Sequence, residues 1–154
     1  MLDNHFDIIA TDHAPHTWDE KYSITETGEI DYFKSPSGLP LVQHSLNLML
    51  MFYHHGKISL EKIVEKMCHA PAVCFQITNR GFIREGYFAD LVLVDPTTEW
   101  KVTKDSLKYK CAWSPLLNQK FKGCVSHTFV NGNMVYNNGL FEESTNGLRL
   151  EFNR

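Results

Sequence analysis

The residues of this chain most capable of chemistry are Ala10-Thr11-Asp12-His13-Ala14-Pro15-His16, which directly follow the apolar pair Ile8-Ile9. One carboxylate and two imidazoles so close together suit proton transfer and hydrolysis: the carboxylate can take up and return a proton, and an imidazole can donate a hydrogen bond or bind a metal. A short apolar run without polar alternation predicts a strand buried on both faces of a parallel sheet. In a barrel of alternating strands and helices, polar residues at the C-terminal end of a strand line the mouth of the active site. Asp12 therefore stands where function is expected. The same carboxylate could equally cap a turn through nearby backbone N–H groups, and spacing alone does not choose between the two. Asp-His-x-x-His does not specify a zinc site either, because outside a helix His13 and His16 need not point the same way.

The elements that would position these residues change character near Asn79, with helical periodicity before it and short strand signals after it. Thr17 to Ser37 is polar, contains Gly28 and Pro36, and reads as a long loop. From Leu39 to His55 apolar residues recur at Val42, Leu46, Met49, Leu50 and Tyr53, with Leu41, Leu48 and Phe52 widening the stripe, so a mostly buried helix is expected. Gly56 ends it, Ser59 reads as the N-cap of a second helix, and Pro71 suits the first turn of a third. Beyond Gly81 the strand signals are Phe82-Ile83, Leu91 to Val94, Val125 to Val130 and Met134 to Tyr136, with Asn131-Gly132 as a type I′ hairpin pair.

The 154 residues hold 15 Lys and Arg against 18 Asp and Glu, a formal net charge of −3. No basic field invites nucleic acid or an acidic membrane surface. At 43% hydrophobic and 21% charged, the composition is that of a globular protein rather than a disordered one. No stretch is long and apolar enough to span a bilayer, and Met1-Leu2-Asp3-Asn4 opens no secretory signal, so a cytoplasmic location is the default expectation. Cys68, Cys74, Cys111 and Cys124 show no C-x-x-C spacing and read as core residues. Asp90 and Asp95 read as turn or cap residues, and Trp100 and Trp113 as packing material.

T-D-H-A-P-H after an apolar strand, a polar loop, then S-P-S-G-L-P and a helix resembles the last barrel strand and following segment of the dihydroorotase family, within the amidohydrolase superfamily. His69-Ala70-Pro71-Ala72, Gly81-x-Ile83-x-x-Gly86 and Ala89-Asp90-Leu91-Val92-Leu93-Val94-Asp95 are similar to that family's C-terminal composite β domain. The resemblance implies an α/β fold: residues 1–79 as the end of a (β/α)8 metallo-dependent hydrolase barrel, and residues 80–154 as a composite β-sandwich. It also implies the zinc-dependent, reversible cyclisation of N-carbamoyl-L-aspartate to L-dihydroorotate, with two Zn2+ per active site. On this resemblance Asp12 is a metal ligand and the general base and acid, while His16 binds the substrate carboxylate. Ser37 and Gly38 match backbone positions that touch the substrate ring, and His13 carries no metal. Where the family often has a second glycine, this chain has Pro40 and Leu41. The implied partner is a small-molecule substrate, with a homo-oligomer left open.

The family's H-x-H, its bridging lysine or aspartate and its two mid-barrel histidines have no counterpart in these residues. Only eleven residues precede Asp12, so a C-terminal portion, inactive alone, is expected. Three readings follow: a dihydroorotase portion, a portion of a hydantoinase-like or allantoinase-like cyclic amidohydrolase, or a noncatalytic scaffold. An acid and an imidazole at a strand mouth favour the enzyme readings.

Overall fold

The computed structural model describes residues 3–25, 27–142 and 146–153. The polar loop expected after His16 carries structure of its own. Helix α1 (Trp18–Lys21) is closed by a capping box in which Thr17 Oγ1 accepts from the Glu20 N–H and Glu20 returns a carboxylate oxygen to the Thr17 N–H at 2.8 Å. Beyond it Ile24 and Ile30 pair across a short antiparallel turn.

The apolar stripe after Leu39 folds as a 3-10 turn (Val42–His44) running into α2 (Ser45–His54). Its unusual width has a physical reason, since α2 is packed on two sides. Met49, with Leu46 and Tyr53, meets Ile58 of the following turn and Ile63 of the next helix, while Asn47 and Leu50 meet the sheet. Phe52 lies outside both faces and is exposed. Ser59 caps α3 (Leu60–Val64), its hydroxyl accepting from the Lys62 N–H at 3.2 Å. The expected second and third helices are continuous: a π-helical turn (Glu65–His69) joins α3 to α4 (Ala70–Cys74), with Pro71 the second residue of α4.

Four strands form one antiparallel meander: β1 (Leu91–Lys101), β2 (Lys120–Val130), β3 (Asn133–Asn137) and β4 (Leu140–Phe141). β1 and β2 are longer than their apolar runs suggested. β1 continues past Asp95 because the carboxylate gathers the Thr97 N–H and the Thr97 and Thr98 hydroxyls, closing a bulge after which pairing resumes at Glu99. These bonds, those from Thr98 and Thr97 foremost, hold the Asp95 carboxyl far below the usual range. The β2–β3 turn is the one read from the sequence, with Asn131 at φ 50° and Gly132 at φ 81°. Asp90 secures it, accepting from the Asn131 N–H at 2.8 Å while pairing with Arg80.

Two expected strands do not form. Residues 6–12 form no ladder and are held by Ile9 N–H to the Lys66 carbonyl at 3.1 Å, because among the described residues no strand lies alongside. Phe82-Ile83 is irregular, with Ile83 87% exposed. No helix among the described residues is long and apolar enough to cross a membrane.

The helices and the sheet join at Gly123. Its carbonyl accepts from Asn47 Nδ2 and from Trp100 Nε1, each at 3.1 Å, and a Cβ there would stand 2.9 Å from Leu50 Cδ1. Beside this junction His44 is fully buried among Trp100, Phe121 and Tyr109, with neither ring nitrogen bonded. Burial holds its pKa below the ordinary histidine value. Because the folded value is the lower one, the unfolded chain binds the proton more readily, and stability is lost as pH falls below about 6.5, the unfolded value. Urea unfolding should therefore show a loss of up to about 1.4 kcal/mol per pH unit below that point, and His44→Phe should remove this part of the slope. Identical pH slopes in the two proteins would contradict the burial of a neutral imidazole.

Candidate active site

The Thr11 to His16 segment is held to the rest of the chain largely through its backbone. His13 bridges to Leu39 in parallel register, and the Ala14 N–H donates to the Leu39 carbonyl at 3.1 Å. His13 Nδ1 accepts from the N–H groups of Leu41 and Val42 at 3.2 and 3.4 Å, at the start of the turn leading into α2. A nitrogen so used is not available to a metal, and through it His13 is tied to that turn.

Asp12 is exposed and has φ 45°, a left-handed conformation that L-residues other than Asn, Asp and Gly seldom adopt. Asp accepts this φ at little cost, and its carboxylate has no partner among the described residues. Gly38 faces it from the other side. With φ 84°, Gly38 packs so closely that an added Cβ would lie 2.5 Å from Ala14 Cβ and 3.7 Å from the Asp12 carbonyl oxygen. Its close approach is thus made to the Asp12–Ala14 backbone. Ser37 beside it is exposed. Lys21, on α1, fixes this loop by donating from Nζ to the carbonyls of Pro36 and Gly38, the latter at 2.8 Å.

His16 lies half-buried further along the segment, with Nδ1 3.8 Å from Glu20 Oε2. The Thr17 N–H holds the Glu20 carboxyl below the usual range, and His16 adds a smaller pull. The His16 carbonyl accepts from Trp113 Nε1 at 2.8 Å. Tyr109, in the same β1–β2 loop, sets its ring 5.3 Å from His13 and accepts the Gln43 N–H at 2.9 Å. The Gln43 side chain ties the turn to that loop, giving its amide N–H to the Ser106 carbonyl and taking the Lys108 N–H.

The structure therefore brings Asp12, Gly38 and Ser37 to one place, with His16 at its edge. Lys21, Gln43, Tyr109 and Trp113, which support the segment from outside, are not legible in the sequence. Trp113 was read as packing, and no local pattern announces a bond across 97 positions. Among the described residues no three His, Cys, Asp or Glu side chains converge to hold a metal, so these residues do not by themselves fit a zinc centre.

The model of the amidohydrolase family matches residues 1–135, and the chain belongs to that family. Among curated relatives it is 38% identical over 138 residues to a dihydroorotase of Clostridioides difficile, covering 89% of this chain and 30% of that protein. It is 36% identical over 140 residues to one of Halobacterium salinarum, covering 88% and 30%. The chain thus spans about 30% of the length of these relatives. Among solved structures, L-hydantoinase from Arthrobacter aurescens superposes with a TM-score of 0.81 at 29% identity, over 91% of this chain and 31% of that one. D-hydantoinase from Thermus sp. shares the fold at 0.79 and 22% identity, over 88% and 29%. These neighbours imply the metallo-dependent hydrolase barrel fold, of which this chain is a small mixed α/β piece.

The close approach at Gly38 has a measurable consequence. Gly38→Ala should cost about 1–3 kcal/mol by overpacking against Ala14, and Ala14→Gly should recover part of that loss in the double variant. Chemical denaturation of the four proteins checks it, and additive losses would contradict the contact.

Proposed function

We propose that this chain is the C-terminal part of a dihydroorotase, with residues 1–79 ending a (β/α)8 barrel and residues 80–154 forming a composite β unit. The observation that carries this reading is the exposed, left-handed Asp12 inside T-D-H-A-P-H, in a chain 33–38% identical to curated dihydroorotases. The substrate is then L-dihydroorotate, formed reversibly from N-carbamoyl-L-aspartate. In ring opening, the oxygen of water bonds to the amide carbonyl carbon, the ring C–N bond breaks, and the proton lost by water ends on the departing nitrogen. Asp12 takes that proton and delivers it, a task suited to a carboxylate with no competing structural bond. His16 donates to the substrate's carboxylate, while the Ser37-Gly38 backbone lies against the ring.

Two Zn2+ per site belong to the same proposal, with Asp12 as one ligand and the others outside these 154 residues. A noncatalytic scaffold would have no evident use for an unpaired carboxylate and an imidazole at this position. A hydantoinase-like activity is the second reading, favoured by the superposition on L-hydantoinase; turnover of hydantoin but not of dihydroorotate by the full-length protein would select it.

In the full-length protein, Asp12→Asn should lower kcat by about 100-fold or more, since the amide cannot carry the proton. His16→Ala should raise KM for dihydroorotate while metal content holds. The 154 residues alone should not turn over dihydroorotate, even with zinc added. Unchanged kcat in Asp12→Asn, loss of a metal equivalent in His16→Ala, or turnover by the short chain would each contradict the corresponding assignment.

A further inference from the structure

The loop between β1 and β2 belongs to the β-rich half of the chain, yet it grips the site segment at two points. Tyr109 meets the His13 ring and accepts the Gln43 N–H, and Trp113 donates its indole N–H to the His16 carbonyl. The second contact is the more specific. The Trp113 ring is fixed edge-on against Trp18 at 5.4 Å, and Trp18 opens α1, whose Glu20 faces the His16 imidazole. The His16 backbone is therefore held by Trp113 and its ring approached by Glu20, both anchored on the same short helix. Pro15 fixes the preceding φ, leaving the orientation of His16 chiefly to its own backbone torsions, which the bond to its carbonyl restrains.

We propose that Trp113 is a positioning residue that sets the aim of His16 at the substrate carboxylate, so that the β1–β2 loop governs substrate affinity from outside the site. This rests on the reading of His16 as the carboxylate-binding residue. Trp113 touches no reacting atom, and its loss should leave the Asp12 segment in place, because the Ala14 N–H is bonded to the Leu39 carbonyl and Gly38 packs against the Asp12–Ala14 backbone. A merely structural tryptophan would change the active fraction and hence the apparent kcat, whereas a positioning one changes KM.

The test is a double-mutant cycle in the full-length protein, with L-dihydroorotate as substrate. Trp113→Phe keeps an aromatic ring and deletes the N–H. It is expected to raise KM about 3- to 10-fold, the range for one lost hydrogen bond, with kcat within about twofold. In a His16→Ala background the same substitution should leave KM unchanged, because there is no imidazole to aim. If the Phe variant does not fold, replacing Trp113 by 3-benzothienylalanine, which keeps the bicyclic shape and puts sulfur in place of the N–H, supports the same cycle. An unchanged KM in the Trp113 variant while His16→Ala raises it overturns the positioning role alone. An equal rise with and without His16 shows that Trp113 does not act through it. An unchanged KM in His16→Ala removes the carboxylate-binding reading itself, and this proposal with it.

Discussion

The seating of Leu50 on Gly123 is the contact on which the rest of the architecture depends. A leucine side chain fully withdrawn from water contributes about 1.5–3 kcal/mol, and it can reach the β2 backbone only because Gly123 has no Cβ in the way. The Gly123 carbonyl then accepts from Asn47 of α2 and from Trp100 of β1, so one peptide group joins helix, inner strand and edge strand. With α2 fixed at this point, its leading turn is carried to the β1–β2 loop. Gln43 meets Ser106, Lys108 and Tyr109 there, and His44 is enclosed by aromatic rings.

From that turn the order passes to the site. Leu41 and Val42 give their N–H groups to His13, Leu39 pairs with Ala14, and Gly38 lies against the Asp12–Ala14 backbone. Each tie engages a main-chain group or the His13 ring, which leaves the Asp12 carboxylate free for chemistry. The positive φ of Asp12 costs an aspartate little. Lys21 closes the arrangement from α1, satisfying carbonyls that an irregular loop would otherwise expose.

Much of this was legible in the sequence wherever local chemistry decides the outcome. Ser59 capped its helix, Asn131-Gly132 made the hairpin and Asp90 secured it, whereas Asp95, expected at a turn, closes a bulge inside β1. The wide stripe of α2 announced burial but not that it would be divided between a helix and a sheet. The strand expected at Ile8 to Thr11 did not form, because a parallel strand is defined by its neighbours and none lies beside it among the described residues. At the site, Asp12 stood out as a carboxylate directly after an apolar run, and His16 through the resemblance of T-D-H-A-P-H to a known family. Lys21, Tyr109 and Trp113 did not, because an ammonium bound to two carbonyls, or an indole bound to one, leaves no periodicity behind.

The account is tested most directly by a crystal structure of the full-length protein with L-dihydroorotate bound. The ring should lie against Ser37 and Gly38, with the Asp12 carboxylate beside the scissile amide and the His16 imidazole within hydrogen-bond distance of the ring's carboxylate. His13 Nδ1 should still accept from Leu41. A ligand seated away from the Thr11 to His16 segment, or an Asp12 carboxylate engaged in capping its own turn while substrate is bound, would contradict it.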